Sequence, residues 1–365
     1  MKNIKSINII SLILATISSL TMVATSCTNS ATPTTSMPGS LPTTSEDVSW
    51  QMGDTIVAAT VTRLDDKAVH PAVVVVAGSG PTDRDWNSPL LPGTNGSARL
   101  LAEELAKNGY VTIRYDKRVA GPNAEKNLPL LFGEVSMESH VDELAGAVNQ
   151  LVDRPDVNPD RIFVLANSEG TIHALNYQLS REPKFSGLIL TGIPGHSVAD
   201  TMRAQIEPQV ASLPNAQEIM AGYDKLMADF LAEKPFVADA RVPEVINNII
   251  QGAYAPMNLP FTRELFALDP TSLIGKVTEP TLVMIGKKDI QVDYQRDGIP
   301  LEAAAKGHDN VSFVYPENTD HTLKYESRPR ETLTAAELVT YYNATDRVLD
   351  TDALKIIIGW LKQKN

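Results

Sequence analysis

The chain carries a series of short, unbroken apolar runs, each followed by a segment with helical spacing. The runs are "AVVVVAG" at 72–78, "YVTIRY" at 110–115, "RIFVLA" at 161–166, "FSGLILTG" at 185–192, "PTLVMIG" at 280–286 and "VSFVYP" at 311–316. They are too short for buried helices and mostly rich in β-branched residues, so they predict strands covered on both faces. Between them, Ala98, Leu101, Ala102 and Leu105 keep to one helical face until Gly109. Met137, Val141, Leu144, Val148 and Leu151 do the same until Pro155. Residues 168–180, 301–306 and a last segment ending at Leu361 read as further helices. Before the first buried run, "DTIVAATVTRL" at 54–64 alternates enough to predict an early antiparallel strand. Strands and helices in this alternation predict an α/β fold with a mostly parallel sheet and right-handed crossovers.

One segment breaks the rhythm. Residues 197–267 are rich in Ala, Met, Glu, Lys and Gln and hold no strand-like run, so they read as a helical insertion. The N-terminus departs differently. Lys2 and Lys5 precede an apolar stretch from Ile7 to Val23, and small residues lead to Cys27, the layout of a secretory signal over 1–27. Serines and threonines interrupt the apolar run, which favours export over an uncleaved span. Residues 28–47 are rich in Thr, Ser and Pro and have little to bury, so they read as a disordered tether. The folded part is expected at 48–365.

Composition narrows the function classes. The 365 residues are 43% hydrophobic, enough for a sizeable core, and the net charge of −12 argues against nucleic acid as a partner. A single cysteine excludes an internal disulfide. No spacing of His, Cys and carboxylates suits a metal, no G-x-x-x-x-G-K phosphate loop is present, and no cofactor is expected.

The candidate chemistry begins at "FVLANSEGT", 163–171, where small-x-Ser-x-Gly follows a strand. Ser168 there is either a nucleophile on a strand-to-helix turn or an ordinary helix N-cap. A nucleophilic serine needs a histidine to take its proton and a carboxylate to hold that histidine. Asp289 follows the strand "PTLVMIG" and His321 follows "VSFVYP", so the chain order is Ser, Asp, His. Of the other histidines, His70 and His308 precede strands, and His140 and His173 lie within helices. His196 follows a strand and either lines the pocket or sits in a solvated loop. Asp293 and Asp320 are alternative acids near the same loops.

Four stretches together, "AGSGPTDRDW", "RYDKR", "LANSEGT" and the pair "GKKDIQV" with "NTDHTL", resemble the α/β-hydrolase fold superfamily over residues 48–365. Within it the chain is similar to the esterase branch related to serine aminopeptidases and dienelactone-hydrolase-like proteins. The resemblance implies an α/β-hydrolase fold with the insertion as a cap over the site. It also implies Ser168 as nucleophile, His321 as general base and acid, and Asp289 as the acid that orients the histidine. The oxyanion hole would use the backbone N–H groups of Glu169 and Ser79. The family usually has His-Gly at the start of that loop, and Ala77-Gly78 stands here, which removes a histidine but not the backbone donor. "RYDKR" reads as structural, with Asp116 and Arg118 pairing beneath the site, and Trp86 as a pocket wall or an exposed loop residue.

The function expected is a serine carboxylesterase acting on a small-molecule ester. The alternative is a serine aminopeptidase or short-peptide hydrolase, for which Glu169 and acidic residues of the insertion offer recognition of an amine. A non-catalytic binding protein is the third reading, and an intact triad argues against it. "TMVATS" before Cys27 resembles a bacterial lipobox, which implies lipidation of Cys27, a membrane contact through that anchor only, and an envelope location. Without lipidation, the expected location is periplasmic or secreted.

Overall fold

The computed structural model describes residues 42–89, 91–334, 343–344 and 346–364. The expected signal at 1–27 with Cys27, and residues 28–41 of the tether, lie outside the described residues.

Eight strands make one sheet: β1 (Thr43–Met52), β2 (Thr55–Leu64), β3 (His70–Val76), β4 (Val111–Tyr115), β5 (Val157–Asn167), β6 (Gly187–Thr191), β7 (Thr281–Met284) and β8 (Val311–Val314). Their spatial order is β1-β2-β4-β3-β5-β6-β7-β8. The β1–β2 and β2–β4 pairs are antiparallel, and every pair from β4 onward is parallel. The principal helices are α1 (Ser97–Lys107), α2 (Met137–Val152), α3 (Glu169–Ser180), α4 (Val198–Val210), α5 (Ala216–Leu231), α6 (Glu244–Ala253), α7 (Leu259–Ala267), α8 (Gly298–Ala304) and α9 (Thr351–Lys364).

The apolar runs of β3 and β5 serve both faces, as strands of period two must. Val73, Val75, Phe163 and Leu165 meet Leu101 and Leu105 of α1 and Ile357 and Trp360 of α9. Val74, Val76, Val164 and Ala166 point the other way, toward Leu144 and Val148 of α2 and Leu175 of α3. Each fully buried aliphatic or aromatic side chain contributes roughly 1.5–3 kcal/mol, so this double core carries a fold that has no disulfide. α2 starts where its spacing begins because Ser136 and Ser139 cap each other: each side-chain oxygen accepts the other's backbone N–H, at 3.1 and 3.0 Å.

β1 corrects the expected domain boundary. It begins at Thr43 and takes in residues 43–47, which composition assigns to the tether. The physical reason is pairing. Ten residues of β1 face ten of β2, Ser45 bonds Thr62 at 2.9 Å, and Thr60 donates to Asp47 at 2.7 Å. A ladder partner satisfies the backbone of a polar edge strand whose own side chains bury little.

Helices α4 to α7 fill residues 198–267 and bury a core of their own, with Met202, Ile206, Tyr223, Phe230, Ile250 and Phe266 at its centre. They enter the chain after β6. No helix among the described residues is long and apolar enough to cross a membrane.

Candidate active site

Parallel strands end on the same edge of a sheet, so the loops after β3, β5, β6, β7 and β8 gather there. Ser168 sits between β5 and α3 with φ 54° and ψ −126°, a conformation a non-glycine residue rarely holds. Its side chain makes no cap hydrogen bond to α3, so it is not the ordinary helix N-cap. Its backbone N–H donates to the Thr191 carbonyl at 2.8 Å, which fixes the turn to the end of β6. The glycine two residues on is required by space: a Cβ on Gly170 would overlap the Ala77 carbonyl of the loop after β3. At the other flank Ala166 is fully buried, and its methyl group is part of the core.

His321, in the loop after β8, donates from Nδ1 to Asp289 Oδ2 at 2.7 Å, and both side chains are almost wholly buried. The other Asp289 oxygen accepts the backbone N–H groups of Gln291 and Val292 at 2.8 and 2.9 Å, which hold the carboxylate in plane. With Nδ1 donating, Nε2 carries the lone pair. Burial alone would push the His321 pKa down; the charge of Asp289 and its hydrogen bond outweigh burial and raise it above the usual 6.5. The alternative acids are occupied elsewhere. Asp293 accepts from the backbone of Gln295 and Arg296 and pairs with Arg330, while Asp320 accepts from Thr322 and Lys324 and pairs with Arg347.

Asn167, just before the serine, draws the two halves together, and no sequence pattern singles it out. Its amide donates to the His321 carbonyl at 2.9 Å and to Thr191 Oγ1 at 3.1 Å, so the histidine loop is tied to the elbow. The loop after β3 also closes on the serine: a Cβ on Gly78 would stand 3.1 Å from the Ser168 Cβ. Ser79 follows on that loop, half-buried, and its carbonyl accepts from Thr82 Oγ1 at 2.6 Å.

Two expectations need correction. Asp116 and Arg118 do not pair. Asp116 takes Arg84 at 2.7 Å and Arg118 takes Glu143 at 2.9 Å, because β4 places the loop after it between the β3 loop and α2. Trp86 is neither pocket wall nor exposed. It is 1% accessible and packs in the core with Val73, Val75 and Leu101. His196 bonds the Arg296 carbonyl at 3.1 Å and is half-buried. His70 pairs with Asp66 at the opposite end of β3, and His308 is exposed.

His140 of α2 also meets two residues one turn apart on α3. Ligand-type atoms of His140, Glu169 and His173 lie within 4.8 Å of one another, and it is the approach of His140 that spacing along the chain conceals. The counter-charge for the Glu169 carboxylate is already supplied, since Lys117 Nζ stands 2.7 Å from it.

Residues 94–233 match the family model described as serine aminopeptidase, S33. That span contains Ser168 and Glu169 and ends before Asp289 and His321. Over 255 residues the chain is 25% identical to the esterase EstD of Thermotoga maritima, across 69% of this chain and 54% of that one. The chain thus spans about half the length of this curated relative. Among solved structures, the α/β hydrolase GrgF from Penicillium superposes with a TM-score of 0.51 at 12% identity, covering 88% of this chain and 99% of that one. A hypothetical protein from Pseudomonas aeruginosa superposes with a TM-score of 0.52 at 14% identity, covering 90% of this chain and 96% of that one. The fold is that of the α/β hydrolases.

Proposed function

We propose that the protein is a serine carboxylesterase working through an acyl-enzyme, with Ser168, His321 and Asp289 as its triad. The observation that carries this reading is the strained elbow at Ser168, tied through Asn167 to the loop of an aspartate-bound histidine. Ser168 Oγ attacks the ester carbonyl carbon while His321 Nε2 takes the hydroxyl proton. The oxyanion is held by the backbone N–H groups of Ser79 and Glu169. Collapse breaks the bond to the alcohol, which leaves with the proton from His321. Water then attacks the acyl-enzyme with the same base, and the carboxylic acid leaves Ser168 restored.

The burial of Glu169 supports this reading over aminopeptidase action. Its carboxylate is enclosed with Lys117 and His173 and has no free face for a substrate amine. Substrate choice then lies with the cap helices. A panel of p-nitrophenyl acyl esters and aminoacyl-nitroanilides tests the assignment. Esters are expected to be turned over at least about 100-fold more efficiently, a difference of roughly 2.7 kcal/mol in transition-state binding. Faster cleavage of a nitroanilide with a free amino group than of any ester would overturn it.

Cys27 is the proposed lipid attachment point, and the Thr-, Ser- and Pro-rich sequence that follows it the proposed connection between anchor and hydrolase. Fatty-acid labelling and fractionation of wild type and Cys27→Ser test this. Label and membrane association are expected in the wild type alone. An unlabelled, soluble wild-type protein removes the anchor and leaves the esterase reading intact.

A further inference from the structure

Next to the elbow lies a buried polar chain that the triad does not use. Lys117 meets Glu169 at 2.7 Å, and Glu169 accepts from His173 Nε2 at 3.2 Å. The His173 and His140 rings are 4.7 Å apart, and His140 bonds Glu143 at 3.0 Å. Glu143 in turn accepts from Arg118 at 2.9 Å. Phe261 of α7 lies edge-on against His140. Burial pushes His173 down to about 4, so it is neutral and serves as a donor. Burial would raise the Glu169 pKa, but Lys117 and His173 hold it well below the usual carboxylate range. The carboxylate therefore stays ionised.

An ionised carboxylate at this position has a consequence for the chemistry. Glu169 is the residue whose backbone N–H faces the oxyanion under the proposed mechanism. Its side-chain oxygens are five covalent bonds from that nitrogen, within roughly 6 Å. A negative charge so close, in a low-dielectric interior, opposes the negative charge that develops in the transition state. We propose that Lys117 is an electrostatic positioning residue of the acyl-transfer site, whose ammonium neutralises the Glu169 carboxylate so that the amide beside it can stabilise an oxyanion. The proposal rests on the serine-hydrolase reading above. It also gives "RYDKR" a role beyond structure: Asp116 and Arg118 brace the loop through Arg84 and Glu143, and the lysine between them points at the elbow helix.

The sign of the effect separates this role from simple packing. Lys117→Met leaves the carboxylate uncompensated, and kcat for an acetyl ester is expected to fall about 10- to 100-fold while KM stays within about twofold. Lys117→Arg keeps the charge and should recover most of the rate. In the double variant Lys117→Met/Glu169→Gln both charges are gone, and kcat should rise at least about fivefold above that of Lys117→Met. A double variant no faster than the single one, or a Lys117→Met enzyme as fast as wild type, overturns the proposal. Should Lys117→Met fail to fold, Lys117→Gln takes its place, because it keeps a hydrogen-bond donor toward Glu169 without the charge. Its kcat is expected to fall at least about fivefold, and kcat equal to that of wild type overturns the proposal. Fluorophosphonate labelling accompanies each assay. An unlabelled wild type sinks the serine-hydrolase reading itself, whereas a labelled wild type with an unaffected Lys117→Met sinks only the role of the lysine.

Discussion

Replacing Ser168 with alanine is expected to lower kcat for ester hydrolysis by about 10⁴- to 10⁶-fold and to leave the fold intact. The rate loss follows from removing the one protein atom that bonds to the acyl group in the proposed mechanism. The intact fold follows from the local geometry. The Ser168 side chain caps nothing, so alanine forfeits none of the roughly 0.5–2 kcal/mol that a working N-cap contributes. Alanine also meets the same steric restriction at φ 54° that serine does, and its backbone N–H still reaches the Thr191 carbonyl. A fluorophosphonate should label Ser168, with its Oγ displacing fluoride, and the variant should not be labelled. The two roles for this serine predict opposite results: a structural cap would lose stability and keep activity, a nucleophile the reverse. Labelling that persists in Ser168→Ala would remove the assignment.

Asp289→Asn should be nearly as severe, with kcat at neutral pH down on the order of 10⁴-fold. The reason lies in what already binds the carboxylate. One oxygen accepts two backbone N–H groups, from Gln291 and Val292, and the other faces His321. An asparagine there keeps its carbonyl oxygen toward the two donors, so its NH₂ turns to His321 Nδ1. The ring must then accept at Nδ1 and carry its proton on Nε2, which leaves no base for Ser168. The pH profile provides an independent readout. The base acts only when neutral, so kcat/KM rises with pH through the His321 pKa, which Asp289 holds above 6.5 against the effect of burial. In the asparagine variant the raising influence is gone and burial remains, so the acidic limb of the residual activity should move to lower pH. A limb that stays where it is in wild type would detach Asp289 from the histidine. His321→Ala should abolish that limb altogether, with a loss at least as large as that of Asp289→Asn.

Much of the architecture was legible in the chain because it depends on short-range patterns. Unbroken runs such as "AVVVVAG" and "RIFVLA" are buried on both faces as β3 and β5, and the spacing of Leu101 and Leu105, or of Leu144 and Val148, marks the helical faces that cover them. Placing Ser168, Asp289 and His321 after strand ends needed only the alternation of strand and helix. In a parallel sheet that alternation puts every such loop on one edge.

What the tertiary structure decided is which neighbour each polar group found. Thr43 to Asp47 have the composition of a tether, and they are a strand because β2 offers ten residues of matching backbone. Asp116 and Arg118 sit two apart and look like a pair, yet each is matched by a residue from another element, Arg84 and Glu143. Trp86 lies in a polar stretch and is core because α1 folds over it. Asn167 and Lys117 carry no local signal of their contacts with His321 and Glu169, which lie 154 and 52 residues away. Periodicity is set by how one residue stacks on the next few, so it survives in the sequence read alone. The partner of a buried charge or amide is set by strand order and crossover, which bring distant segments within about 3 Å and favour the bonding of a desolvated polar group to whatever arrives there.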